Sequence, residues 1–259
     1  MASTPSTQFT VPSSGGAYIE QILERSEALI ATGIWAGLTS NRLRTWWKNF
    51  STPEEKYFGA CVLDSLVFRS RDQTIALMTQ LFQRSLPDLS RKALPTLGFQ
   101  DNWMEALSGV ADPEIRLVVV IKPHDNPTKS GPILARMYRR HLKIHPDWII
   151  WPWRMNDPAN SNVKSFVFID DFVGTGEQFC EFTEHFKIDG LFGSRYCIYA
   201  PLVAHIEGIK EISMKYPKLN LCTVEELDYT YGLFKPESPC FDDGTNSPAI
   251  AKRGCPALR

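Results

Sequence analysis

From about residue 113 onwards, short apolar runs alternate with longer stretches in which apolar residues recur at helical spacing. We predict strands at residues 116–121, 148–151, 165–169, 196–200 and 219–223, separated by helices at residues 131–142, 178–186 and 203–214. Strands that are joined through helices need crossover connections, and these place the strands parallel to one another. The sequence therefore predicts an α/β fold with a mostly parallel twisted sheet flanked by helices, which would bind ligands at the carboxyl ends of its strands.

About the first hundred residues show helical spacing alone, with no strand-like runs. We predict helices at residues 18–32, 41–50, 53–69 and 74–83, with Ser40 as the N-cap of the second. The third begins at Ser51-Thr52-Pro53-Glu54-Glu55, where a hydroxyl residue, a proline in the first turn and two acids are typical of a helix start. An α-helical N-terminal region is thus expected before the α/β part.

Composition suggests where these regions begin and end. Residues 1–16 are rich in Ser, Thr, Pro and Gly and lack the basic and apolar regions of a secretory signal, so we predict a flexible N-terminal tail. The helical region is predicted over residues 17–110 and the α/β domain over residues 111–235. Residues 236–259 are rich in Pro, Gly, Ser and Asp, which favours an irregular C-terminal tail.

The overall charge and the cysteines narrow the class of protein. With 28 Lys and Arg against 29 Asp and Glu the net charge is −1, which argues against a broadly basic surface for nucleic acid but leaves a local patch open. No apolar run reaches the roughly 18 residues that cross a bilayer, so no membrane partner is expected. The six cysteines contain no C-x-x-C pair, which predicts reduced, buried thiols in a cytoplasmic protein and no zinc site.

The segment with the clearest chemistry is residues 166–178, FVFIDDFVGTGEQ. An apolar strand is followed by two carboxylates, a turn with two glycines and a helix. Backbone N–H groups of such a turn can bind an anion, because glycines allow close approach and the helix N-terminus favours negative charge. Carboxylates accept hydrogen bonds from neighbouring sugar hydroxyls and hold hydrated Mg²⁺. The pattern predicts a ribose 5-phosphate site, although a plain strand-to-helix connection is the open alternative.

This segment resembles the phosphoribosyl pyrophosphate signature of type I phosphoribosyltransferases. The resemblance implies that Asp170 and Asp171 are the catalytic residues, which bind the ribose 2- and 3-hydroxyls and, through water, Mg²⁺. It implies a ligand-binding segment whose loop wraps the 5-phosphate and which consists of Phe172, Val173, Gly174, Thr175, Gly176, Glu177 and Gln178. The family has hydroxyl residues where this chain has Gly174 and Gln178, so two side-chain donors are missing while the backbone donors remain.

A second loop, after the first predicted strand, fits the same interpretation. In the family the equivalent loop holds pyrophosphate, and here Ser130 and Gly131 lie at a predicted helix start that favours an anion. Lys122, Lys129 and Arg136 would neutralise the leaving pyrophosphate. The loop lacks the family's Arg-Gly-Gly pattern, and a solvated basic loop is the alternative.

Two further clusters carry weaker signals. His141 and His145 are four residues apart, but two metal ligands without a third favour a surface pair over a metal site. The run Trp148-Ile149-Ile150-Trp151-Pro152-Trp153 offers either an aromatic platform for a base or, with stronger support, core packing or an interface.

Three functions remain open at this point. The first is an enzyme that makes or breaks an N-glycosidic bond with Mg²⁺ and phosphoribosyl pyrophosphate; the others are a nucleotide-sensing module and a protein or nucleic-acid interaction module. Three features stand out over most of residues 17–235: Trp47-Lys48-Asn49-Phe50 in the helical part, the Lys129-Ser130-Gly131 loop with Arg136, and the loop of residues 170–176. In these features the layout is also similar to phosphoribosyltransferase-like proteins of bacterial phage-defence systems, including retrons. That likeness implies a nucleotide-targeting antiviral effector, partnered by a reverse transcriptase and its RNA–DNA product. The sequence leaves the base specificity and any homo-oligomer undetermined.

Overall fold

The computed structural model describes residues 9–93, 103–112, 114–126, 128–241 and 246. The chain divides into two compact units, one formed by Met1–Arg71 with Asp228–Arg259 and the other by Asp72–Leu227. The boundaries predicted from composition lie at residues 110 and 235, so the two divisions differ in where they cut the chain. Most of the two predicted tails lies outside the described residues, but Phe9 is buried and the Thr10 N–H donates to Asn246 Oδ1 at 3.0 Å.

The first unit is helical in its described part. Its helices are α1 (Gly15–Ala31), α2 (Ser40–Trp47) and α3 (Pro53–Asp64). The predicted start of α3 is confirmed, since Thr52 and Glu55 form a capping box with Pro53 in the first turn. The N-cap of α2 is Thr39 rather than Ser40, because the Thr39 side chain accepts the Arg42 N–H at 3.2 Å.

Two predicted helix ends in this unit are wrong. The third helix stops at Asp64 instead of continuing to residue 69. At that point the Ser65 hydroxyl donates to the carbonyls of Cys61 and Val62 at 3.0 and 3.2 Å, and such side-chain bonds compete with the helix ladder. The second helix stops at Trp47, and Trp46, Trp47 and Phe50 then pack against one another.

The second unit is built on a six-stranded sheet with the order β2-β1-β3-β4-β5, in which β6 also pairs with β4. Every described strand pair is parallel. The strands are β1 (Ile115–Val119), β2 (Ile149–Ile150), β3 (Ser165–Val173), β4 (Tyr196–His205), β5 (Asn220–Leu221) and β6 (Glu225–Leu227). This confirms the predicted α/β fold with a mostly parallel sheet.

The helices of this unit lie before the first strand or between strands along the chain. They are α4 (Arg71–Gln80), α5 (Leu86–Ala93), α6 (Trp103–Ala106), α7 (Ser130–His141), α8 (Glu177–Phe186), α9 (Leu191–Ser194) and α10 (Ile206–Lys215). A π-helical turn, Leu81–Ser85, connects α4 to α5. Within the described part of the chain, no helix is long and apolar enough to span a bilayer.

The helices change faces of the sheet between β1 and β3. Phe166 and Phe168 on β3 pack with Phe179 and Phe182 of α8, and Val118 belongs to the same buried cluster. Strand side chains alternate between the two faces, so the neighbouring Val119 points to the opposite face. There a Cβ on Gly131 of α7 would lie 2.8 Å from Val119 Cγ1. A parallel sheet whose crossovers change faces at one point has its ligand crevice there, at the carboxyl ends of the strands.

Two strands are longer than predicted. β3 continues from Ile169 to Val173, so the acid pair lies within the strand rather than after it. β4 continues to His205, and α10 begins at Ile206 rather than at residue 203. The two extensions have one cause, because they pair with each other as far as Val173 and Ala204, and β6 pairs with the end of β4 on its other side.

Candidate functional site

The two loops that the sequence singles out meet at the point where the helices change faces. β1 and β3 are neighbours in the sheet, and Val119 is paired with Ile169. Lys122 follows β1, and Asp170 and Asp171 follow Ile169 along β3. The start of α7 reaches the acids directly, since the Ser130 hydroxyl donates to Asp171 Oδ1 at 3.0 Å.

Asp170 is a buried carboxyl group, with only 2% of its surface exposed. Its Oδ2 accepts the Tyr199 hydroxyl at 2.9 Å, and its Oδ1 accepts the Asp171 N–H at 3.0 Å. Burial, and secondly the neighbouring charge of Asp171, raise the pKa of Asp170 well above its ordinary value. The carboxyl group of Asp170 is therefore harder to ionise than that of a solvent-exposed aspartate.

Asp171 has a different environment, because it is only half-buried at the edge of the crevice. Its Oδ1 accepts two hydrogen bonds, from the Ser130 hydroxyl at 3.0 Å and from the Phe172 N–H at 2.9 Å. Two donors on one oxygen hold the carboxylate in a fixed orientation. Asp171 is thus the more accessible of the two acids.

A glycine turn connects β3 to α8. Gly176 has φ +85°, a left-handed conformation that glycine adopts without strain, and it is the N-cap of α8 with no side-chain cap. The first N–H groups of a helix have no acceptor within the helix and favour an anion. Thr175, Glu177 and Gln178 are exposed, Gly174 is half-buried and Gly176 is buried. The turn is therefore open to a ligand on one side only.

The turn rests on the first turn of α10. A Cβ on Gly208 would lie 2.6 Å from the Gly174 carbonyl oxygen and 3.1 Å from the Gly176 nitrogen. A Cβ on Gly176 would in turn lie 3.1 Å from Ile212 Cγ1. Only glycine at position 208 allows this close backbone approach, which fixes the turn from behind.

The basic residues of the β1 loop are partly compensated by acids. The Lys122 ammonium lies 2.6 Å from Glu181 Oε2, and the hydrogen bond between them raises the pKa of Lys122. The Lys129 ammonium lies 2.9 Å from Asp125 Oδ1. Asp125 Oδ2 accepts the main-chain N–H of Lys122 at 2.8 Å. Burial opposes the ionised form of Asp125, but the bonds from Lys122 and Lys129 dominate and lower its pKa.

Arg136 lies farther along α7 than the residues that contact the acids. It is exposed on α7, six residues after Ser130, which is roughly 9 Å along a helix axis. Gly131, by contrast, is buried against β1 at the start of the same helix. The structure thus brings the acids, the glycine turn, Lys122, Lys129, Ser130 and Gly131 to one edge of the sheet, with Arg136 on the exposed side of α7.

Sequence reasoning missed four residues that shape the site. Tyr199 binds Asp170, Gly208 supports the turn and Glu181 pairs with Lys122. The fourth is Tyr138 of α7, whose hydroxyl is buried without a hydrogen-bond partner among the described residues. Burial, and then the charges of Asp170 and Asp171, raise its pKa. A tyrosine in an apolar strand and a glycine inside a helical pattern were the available signals for Tyr199 and Gly208.

The weaker clusters separate in the structure. Trp148 is buried, and its indole N–H donates to the Gly109 carbonyl at 3.1 Å, whereas Trp151 and Trp153 are exposed and stack on each other at 5.3 Å. His141 ends α7, and His145 instead caps the following short helical turn. No group of three candidate metal ligands occurs among the described residues.

A parallel sheet in this order, with an acid-bearing central strand that leads through a glycine turn into a helix, is the architecture of phosphoribosyltransferase-like proteins. Comparison with protein families agrees, because the PRTase-CE model matches residues 43–253. That match spans more than half of the chain, and the protein belongs to the PRTase-CE family. No match to the chain is found among curated proteins.

Proposed function

We propose that this chain binds a ribose 5-phosphate ligand, either phosphoribosyl pyrophosphate or a nucleotide, where β1 and β3 end. The observation that carries the proposal is the open glycine turn at the uncapped start of α8, which lies close in sequence to the half-buried carboxylate Asp171. A turn whose main-chain N–H groups can bind a phosphate lies beside a carboxylate that can accept hydrogen bonds from hydroxyl groups. This pairing matches the two ends of a phosphorylated sugar.

The phosphate would be held mainly by main-chain amides of residues 174–178. Gly208 holds the backbone of this turn in place, so the amides are fixed before a ligand arrives. The exposed Thr175 hydroxyl is positioned to add a side-chain donor. Glu177, in the first turn of α8, opposes a second negative charge, which favours a single phosphate group at this place.

Magnesium fits the site as a partner of the ligand. Mg²⁺ in nucleotide sites is commonly held by one or two carboxylates together with phosphate oxygens and water. Asp171, acting through water, and the phosphates of the ligand would hold it here, and the ion would neutralise charge on a pyrophosphate group.

One observation favours a second candidate function, nucleotide sensing without turnover. The cations expected to meet pyrophosphate, Lys122 and Lys129, are already paired with Glu181 and Asp125. A leaving pyrophosphate would have to displace these acids, whereas a bound nucleotide monophosphate would not. Incubation with phosphoribosyl pyrophosphate, Mg²⁺ and free bases distinguishes the two, since release of pyrophosphate supports an enzyme and binding without product supports a sensor.

Calorimetry with ribose 5-phosphate and with phosphoribosyl pyrophosphate plus Mg²⁺ tests the binding proposal. We expect the wild type to bind both ligands and the Asp170→Asn/Asp171→Asn double variant to bind each at least tenfold more weakly, roughly the loss of one hydrogen bond to a charged group. Glu114→Gln is the matched control, because Glu114 lies next to the amino end of β1, at the other end of the strand. Equal binding by the wild type and the double variant would refute the assignment.

A role in phage defence, with a reverse transcriptase and its RNA–DNA product as partners, is part of the same proposal. It predicts that cells carrying the chain with its genomic neighbours resist phage and that the double acid variant abolishes resistance. Unchanged resistance with the double variant would separate any defence role from this site. Co-purification of a reverse transcriptase with the tagged wild type would support the partner, and its absence would count against it.

A further inference from the structure

The two neighbouring acids of β3 differ in accessibility. Asp170 is 2% exposed, whereas Asp171 is half-buried and faces the start of α7 through its bond with Ser130. Successive residues of a strand start from opposite faces, but the carboxyl groups of Asp170 and Asp171 still interact with each other. A ligand at the carboxyl edge of the sheet therefore meets two unlike carboxyl groups.

Both oxygens of Asp170 are already used inside the protein. Oδ2 accepts the hydroxyl of Tyr199 at 2.9 Å, and Oδ1 accepts the main-chain N–H of Asp171 at 3.0 Å. Tyr199 is itself buried, at 1% exposure, so this hydrogen bond lies away from solvent. Because Asp170 is 2% exposed, a sugar hydroxyl would have to enter the core in order to reach it.

The contacts of Asp170 also link β3 to the first turn of α8. The Tyr199 ring stacks on Phe179 of α8, with ring centroids 3.8 Å apart and an interplanar angle of 21°. Phe179 is in the first turn of the helix whose start receives the phosphate in the proposed function. The chain of contacts from the Asp171 backbone through Asp170 and Tyr199 to Phe179 therefore fixes the position of the carboxylate relative to α8.

Asp171 has the opposite character. The two hydrogen bonds that it accepts both go to Oδ1, from Ser130 and from the Phe172 N–H. These bonds orient the carboxylate, and neither of them uses Oδ2. A carboxylate oxygen accepts more than one hydroxyl hydrogen bond, so a single acid suffices for one sugar diol.

We propose that Asp171 alone accepts hydrogen bonds from the sugar hydroxyls. Asp170 and Tyr199 are positioning residues, which fix the Asp171 carboxylate relative to α8. The inference rests on the proposed function, since it divides the roles of the acids within that site. It differs from the expectation drawn from the family resemblance, in which both acids contact the ribose.

Discrimination between ribose 5-phosphate and 2-deoxyribose 5-phosphate isolates the contact with the sugar hydroxyls, because the two ligands share the phosphate. We expect Asp171→Asn to reduce the ratio of the two affinities by about tenfold, as expected for replacing a charged acceptor by a neutral one. Asp170→Asn should leave this ratio unchanged, because asparagine still accepts the Asp171 N–H and offers an N–H to the Tyr199 oxygen.

Removal of the Asp170 side chain tests the positioning role. We expect Asp170→Ala to weaken binding of both sugars in protein that circular dichroism shows to be folded, and Asp170→Asn to restore the affinity. A purely structural role would lower the melting temperature of Asp170→Ala and leave its affinities unchanged, which would overturn the proposal. Should Asp170→Ala not fold, Tyr199→Phe takes its place, with the same expectation of weaker binding and unchanged sugar discrimination.

Two results distinguish failure of this inference from failure of the proposed function. Loss of sugar discrimination in Asp170→Asn equal to that in Asp171→Asn, with the wild type still binding, would show that both acids contact the sugar and would overturn the inference alone. No binding of either sugar phosphate by the wild type would overturn the proposed function and this inference together.

Discussion

Two turns at the same edge of the sheet both lead from a strand to a glycine at the start of a helix, but they are stabilised in different ways. The β1 loop ends in Gly131 at the start of α7, and the β3 turn ends in Gly176 at the start of α8. The β3 turn is held by backbone packing against Gly208. The β1 loop is held by side chains, through the ion pairs of Lys122 with Glu181 and of Lys129 with Asp125.

This difference has a physical consequence for ligand binding. Main-chain amides that are fixed by packing need no rearrangement when an anion arrives. Partly exposed lysines that already have acid partners must exchange them, and their attraction for an anion is screened by salt. The β3 turn is therefore expected to set the affinity for a phosphate, and the β1 loop to tune it.

The largest effect is expected from Gly208→Ala. In a helix interior this change normally stabilises by about 1 kcal/mol, but here the Cβ would lie 2.6 Å from the Gly174 carbonyl oxygen. Overpacking against backbone typically costs roughly 1–3 kcal/mol, so the clash dominates. We expect a net loss of stability in denaturant unfolding together with weaker ribose 5-phosphate binding in calorimetry.

Gly16→Ala is the control for this prediction, since Gly16 also lies in the first turn of a helix and its Cβ would meet nothing within 4 Å. It should be neutral or slightly stabilising and should leave binding unchanged. If Gly208→Ala bound ribose 5-phosphate with wild-type affinity, the β3 turn would not depend on its packing against Gly208. The proposed difference in how the two turns are stabilised would then be refuted.

A smaller effect is expected from Gly131→Ala in the β1 loop. Its Cβ would lie 2.8 Å from Val119 Cγ1 and 3.3 Å from the Val120 carbonyl oxygen. The nearest atom is a side-chain methyl group, so we expect destabilisation of about 1 kcal/mol, near the lower end for overpacking. Gly131→Ala should leave the affinity for inorganic phosphate unchanged if the β3 turn is the phosphate-binding site. A phosphate affinity that falls more in Gly131→Ala than in Gly208→Ala would reverse the assignment of the two turns.

The smallest effect is expected from Glu181→Gln, which releases Lys122 from its partner. We expect pyrophosphate to bind roughly two- to fivefold more tightly at low salt, the range that an exposed ion pair supports, with the gain shrinking as salt is added. Glu184→Gln on the same helix is the matched control, because it releases Lys215 from a 2.6 Å pair instead. Equal responses of the two variants would indicate a general charge effect and exclude Lys122 as a pyrophosphate contact.

Much of the fold follows from local pattern. Apolar β-branched runs separated by amphipathic stretches predict β1, β3 and β4 with their crossover helices, and hence the parallel sheet and its binding edge. The capping box of Thr52 and Glu55 was equally readable, because a cap is formed by residues three positions apart. The ends of β3 and β4 were not readable, because each strand is extended by pairing with the other.

The order of apolar strand, acid pair, glycine turn and helix was determined by the sequence alone, since each step is a local preference of neighbouring residues. Tertiary structure decided which acid is buried, what supports the turn and which lysines are paired. These features depend on partners that lie far along the chain, such as Tyr199 for Asp170 and Glu181 for Lys122. Only the folded arrangement of strands and helices brings such partners within hydrogen-bonding distance, and no local pattern encodes that proximity.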